Sequence, residues 1–160
     1  MMLRDELQAG IAAGIAGGVL NEAFVFATQL AAGMPTATLA DTFAFAATML
    51  LGPGAYASPA AVPLGIVLYF AVAVGWALGF VYLARTQRHL VRHPWISGAA
   101  FGLVVFISAQ VGMLIAPREH RPDAPGGLVA QFVAYAVFYG IPVAVVASRL
   151  LRGSAPERPG

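Results

Sequence analysis

One acidic residue stands inside an otherwise apolar helix. Glu22 lies near the middle of an apolar stretch running from 9 to 32, with Asn21 beside it and Gln29 two turns on. Placing a charge at that depth costs about 3 kcal/mol on insertion scales. Such a residue is either a proton or cation site, an ion pair with a partner subunit, or a protonated group that hydrogen-bonds across helices and fixes their register. This chain has no base inside the membrane to pair with it. A second polar row, Gln131, Tyr135 and Tyr139, follows i, i+4, i+8 spacing and so shares one helix face. Pro142 comes next; it removes a backbone hydrogen bond and predicts a kink. Ser108 and Gln110 add polar atoms to a third stretch. The candidate intramembrane polar site is therefore Asn21, Glu22, Gln29, Gln131 and Tyr135. It is either an interhelical hydrogen-bond network or a polar cavity, and spacing alone does not bring these residues together.

Other chemistry is limited by what the chain lacks. There is no Cys, so thiol redox and thiolate metal ligation are excluded. All nine basic residues are Arg, and without Lys a retinal Schiff base cannot form. The histidines His89, His93 and His120 fall in connections, leaving none in the membrane for haem. His89 and His93 have a metal-compatible spacing of four but no third ligand nearby. GxSxG, HExxH, P-loop and GxGxxG motifs are missing. No cofactor, no metal and no catalytic residue is expected, and a net charge of +2 gives no reason to expect nucleic acid as a partner.

The elements that must position the polar residues are long apolar helices. The chain is 59% hydrophobic and 10% charged. Stretches 9–32, 62–84, 95–116 and 128–151 are each long enough to cross a bilayer, which needs about 20 residues. Hydrocarbon offers no partner to backbone polar groups, so spanning segments of this length are helices. The expected fold is an all-α integral membrane protein: one domain over 1–160, a bundle of four transmembrane helices, and a flexible tail at 152–160. The first stretch is read as an uncleaved span, because Asp5 and Glu6 dilute a signal-peptide start and no small-x-small site ends it.

A short interfacial helix is expected between the first and second spans. Thr38 and Asp41 read as a capping box, and Gly52-Pro53 reads as a stop. The helix 39–51 between them is about 20 Å long, which is short for a span. Leu39, Phe43, Ala46 and Leu50 share its apolar face, with Asp41 and Thr48 opposite. A fifth span is the alternative. Arg85, Arg88 and Arg92 cluster in one connection and Arg149, Arg152 and Arg158 near the C-terminus. Basic residues collect on the cytoplasmic side, so both termini are expected inside and the 117–127 connection outside. The three clustered Arg at 85–92 suit anionic lipid head groups. A bacterial plasma (inner) membrane is the expected location.

Small residues supply the packing. Gly10, Gly14, Gly17, Asn21 and Thr28 lie on one arc of the first helix, and Ile11, Ile15, Val19, Phe26 and Leu30 lie on another. Ala71, Gly75 and Gly79 repeat at i, i+4, i+8 on the second helix; Gly98, Gly102, Ala109, Gly112 and Ala116 share a face of the third. Small faces let helices approach closely where lipid removes the hydrophobic drive. The expected role is a non-catalytic accessory or structural subunit, packing against a larger membrane complex or against copies of itself. The alternative is a small oligomeric channel or proton- or cation-coupled transporter using Glu22. A lipid-modifying enzyme is disfavoured, since no nucleophile, base or metal cluster is recognisable.

Overall fold

The computed structural model describes residues 4–34, 37–115 and 126–153, which form helices and short connections with no strand. Four helices are long and apolar enough to cross a membrane. They are α1 (Arg4–Ala31), α3 (Ala61–Thr86), α5 (Pro94–Ile115) and α6 (Gly127–Gly153). Between α1 and α3 lie α2 (Ala37–Leu51) and a 3-10 turn, Gly52–Ala57; the five-residue α4 (Arg88–Arg92) precedes α5. Helix α1 starts earlier than the apolar run suggests, because Glu6 pairs with Arg85 at 3.0 Å and so can be held against α3. Helix α6 continues through Gly153, beyond the expected start of the tail; 154–160 lie outside the described residues, as does most of the 117–127 connection with His120.

Successive spans run antiparallel, and their lateral order is α3, α1, α6, α5. Glycines determine that order at one end of the bundle. A Cβ added at Gly14 would lie 2.6 Å from the Cα of Val74, and one at Gly17 would lie 2.7 Å from Val143. Gly98 would meet the Gly140 carbonyl at 2.7 Å, and Gly102 would meet the Ala136 Cα at 2.7 Å. No side chain fits at such contacts, so backbones meet directly and dispersion holds the helices together. Ile11, Ile15, Val19 and Leu30 are exposed, away from this seam.

The second-helix face is a correction. Ala71, Gly75 and Gly79 are exposed, and a Cβ on either glycine would meet nothing within 4 Å. The packed face of α3 is instead Ala73, Ala77, Phe80, Val81 and Ala84. Alanine here allows close approach while keeping better helix propensity than glycine. Gly112 on α5 also meets nothing within 4 Å. Helix α5 packs chiefly on α6; its reach to α3 is made by rings, with Phe101 5.1 Å from Phe80 and 6.3 Å from Trp76 between centroids.

Helix α2 packs along the first half of α3, with the Phe43 carbonyl against Gly65. Its buried face is Ala44, Phe45 and Ala47 rather than the one containing Leu50, which is 65% exposed. Small alanines, not the largest apolar side chains, permit the close contact with Ala61. The helix starts at Ala37; the Thr38 side chain, and with it the capping box, lies outside what is described. Gly52 has φ of 67°, the left-handed geometry expected of a helix stop.

Candidate functional site

The five polar candidates share a single cavity. Asn21, Glu22 and Gln29 come from α1, and Gln131 and Tyr135 from α6. The cavity has a volume of about 120 Å³ and is also lined by Thr28, Thr42 of α2 and Gln110 of α5. It lies where the glycine seam ends. Beyond Gly17 and Gly18 the α1 face turns polar, and beyond Gly102 α5 meets α6 through side chains rather than backbone.

Hydrogen bonds fix the walls but leave the floor open. Asn21 Nδ2 donates to the Tyr69 hydroxyl at 3.2 Å, and that hydroxyl donates to the Gly18 carbonyl at 3.1 Å. Gln110 Nε2 donates to Gln131 Oε1 at 2.6 Å, strapping α5 to α6. The Glu22 carboxyl lies beside Asn21 and Tyr69. Yet Asn21 Oδ1 and Glu22 Oε2, both buried, find no hydrogen-bond partner among the described residues. Asn21 is only 3% exposed. Among the described residues, no Arg or His lines the cavity. Two buried acceptors are therefore unmet beside a cavity whose other polar lining is neutral: Thr28, Gln29, Thr42, Gln110, Gln131 and Tyr135.

A second cavity adjoins the first across Tyr135 and Ala109, which line both. It has a volume of about 250 Å³ and carries Tyr69, Trp76 and Tyr139 on its walls. Tyr139 donates to the Ala73 carbonyl at 2.6 Å, tying α6 to α3. Tyr135 and Tyr139 belong to a π-helical stretch, Ala134–Gly140, ahead of Pro142. Pro142 has no N–H to return to Phe138, so the chain widens: Ile141 N–H reaches Ala136, five residues back. The kink expected at Pro142 is expressed as this wide turn, which presents two phenols to the aromatic cavity.

Reading the sequence missed Tyr69, Trp76 and Thr42. A signal was present for the first two, since Tyr69 and Trp76 lie seven residues apart on one face of an otherwise apolar helix. Thr42 had none; it enters only because α2 packs on α3. At the opposite end, Arg85 is engaged by Glu6, while Arg88 and Arg92 are exposed with His89 and His93. Arg152 donates to the Val91 carbonyl and closes α4 onto α6.

No family model matches the chain, and no curated protein or solved structure matches it.

Proposed function

We propose that this chain is a small multi-pass membrane protein that binds and passes protons or small cations at Glu22, acting as an oligomer. The observation that carries this is an acid on the wall of a cavity with no Arg or His among its described lining: Glu22, whose Oε2, like the neighbouring Asn21 Oδ1, is buried without a hydrogen-bond partner. An unmet buried acceptor costs about 1–3 kcal/mol. Asn21 and Tyr69 lie beside one side of the carboxyl, and Oε2 is without a partner among the described residues, which leaves an acceptor for a proton or cation. An acid at membrane depth is also a functional residue by default.

Orientation follows from charge. Arg4, Arg85, Arg88, Arg92, Arg149 and Arg152 lie at one end of the antiparallel bundle. That end is proposed as the cytoplasmic face of a bacterial inner membrane, with Arg88 and Arg92 toward anionic lipid. Reporter fusions to both termini check it; an external N-terminus overturns it.

The functional test is ion flux in vesicles reconstituted with the full chain. Wild type is expected to carry protons or Na⁺, and Glu22→Gln is expected to abolish flux without lowering thermal stability. Gln keeps the shape but cannot exchange a proton. Flux unchanged in Glu22→Gln overturns the reading.

A second reading, the accessory subunit, is supported by the exposed Ala71, Gly75 and Gly79 face of α3, which has the composition of a helix-packing surface. A stoichiometric partner chain in mild detergent, together with absence of flux, would favour it.

A further inference from the structure

We infer that the Glu22 cavity receives the charged head of an amphiphilic organic ammonium ion, and that the adjoining aromatic cavity receives its apolar part. This names the cation class for the site proposed above and rests on that reading. A proton or an inorganic ion would use only the smaller cavity, of about 120 Å³. The larger one, of about 250 Å³, would then have no role, although the two share Tyr135 and Ala109 as a common wall. Together they have the dimensions of a small organic ligand site, which spans a few hundred Å³.

The chemistry of the walls differs in the way an amphiphilic cation requires. The head-group side has Glu22 and Asn21, each with an unpartnered buried oxygen, and no competing Arg or His among the described residues. The other side has the rings of Tyr69, Trp76, Tyr135 and Tyr139. Aromatic faces attract cations through the ring quadrupole, Trp most strongly, and also take hydrocarbon. The Asn21–Tyr69 hydrogen bond ties the two halves, so an ion seated at Glu22 has a ring beside it. Access fits as well. The aromatic cavity lies between α3 and α5, which scarcely touch along this stretch, and its rim carries Val72, 60% exposed. A lateral opening of this kind admits a ligand already dissolved in the bilayer, which an amphiphile is and a hydrated inorganic ion is not.

Calorimetry on the detergent-solubilised full chain tests this with three probes. Benzyltrimethylammonium carries head and ring, tetramethylammonium the head alone, and neopentylbenzene the same shape without charge. Benzyltrimethylammonium is expected to bind saturably, about tenfold tighter than tetramethylammonium, and neopentylbenzene is expected not to displace it. Glu22→Gln is expected to weaken binding at least about thirtyfold, and Trp76→Leu about tenfold, with melting temperatures recorded for both. Should Trp76→Leu fail to fold, Trp76→Phe keeps a ring and is expected to retain most of the affinity. Equal binding of the two ammonium ions would remove the aromatic subsite. Equal binding to wild type and Glu22→Gln would mean apolar partitioning. Either result, or no binding at all, overturns the inference. Flux of protons or Na⁺ that depends on Glu22, with no benzyltrimethylammonium binding, would overturn it while leaving the proposed function standing. Glu22-dependent binding without flux would uphold it and overturn transport.

Discussion

At one end of the bundle, α5 lies backbone to backbone on α6; at the other end, the same face of the same helix is open. Gly98 and Gly102 sit against Gly140 and Ala136, whereas a Cβ on Gly112 would meet nothing within 4 Å. Helix α1 is divided the same way. Its Gly10, Gly14, Gly17 and Gly18 press on α3 and α6, and its Asn21, Glu22 and Gln29 line a cavity. The division separates two kinds of work. Close packing stabilises a membrane bundle, since dispersion and hydrogen bonds are its main attractions. An open polar pocket forgoes that close packing, and its walls are held by a few hydrogen bonds instead. Stability should therefore respond strongly to changes in the sealed half and weakly to changes in the open half.

The largest effect is expected at the seal. Gly102→Ala should destabilise by about 3 kcal/mol, because the new Cβ would collide with the Tyr135 carbonyl, which a rigid helix cannot move cheaply. Gly112→Ala and Gly75→Ala, with open space around them, should each change stability by under about 0.5 kcal/mol. Reversible unfolding in mixed micelles measures all three, and equal losses would erase the distinction between the halves. Next comes Tyr139→Phe, which removes the buried bond to the Ala73 carbonyl and should cost about 1 kcal/mol. The Gln110–Gln131 strap crosses the open half; a double-mutant cycle should find a coupling of about 0.6 kcal/mol. The smallest effect is expected at Glu22 itself. Glu22→Leu removes an unpartnered buried oxygen and should leave unfolding within about 0.5 kcal/mol of wild type. A loss above about 2 kcal/mol would show that Glu22 holds the bundle together and would break the comparison at its centre.

Much of this division was legible in the sequence, and its limits are physical. The spans could be read because bilayer thickness sets a minimum length for α1, α3, α5 and α6. Asn21, Glu22, Gln29, Gln131 and Tyr135 stood out because polar atoms are rare in such helices. Their convergence could not be read, because it depends on α6 being the neighbour of α1. Lateral order is decided by which small faces meet, and the pattern does not reveal which do: Gly75 and Gly79 match Gly10 and Gly14 in spacing, yet only the latter pair is packed. The aromatic cavity was harder still. It depends on the π-helical turn before Pro142, whose local hydrogen-bond shift rotates Tyr135 and Tyr139 relative to an ideal helix.

The glycine seal also has a mechanical consequence. From Gly102 to Ile115, α5 extends as an arm of about 20 Å at 1.5 Å per residue, braced to α6 by side chains rather than by backbone contact: Gln110 on Gln131, and the Phe106 ring on Phe132 and Tyr135. A pivot of about 10° at that fulcrum would swing the tip by about 3 Å, enough to widen or narrow the mouth of a pocket by one atom's breadth. The widened turn of α6 sits beside the fulcrum, where the backbone ladder is already loosened. The molecule is thus built as tweezers, with a rigid backbone grip at the arginine end and, opposite Glu22, one blade held only by side chains.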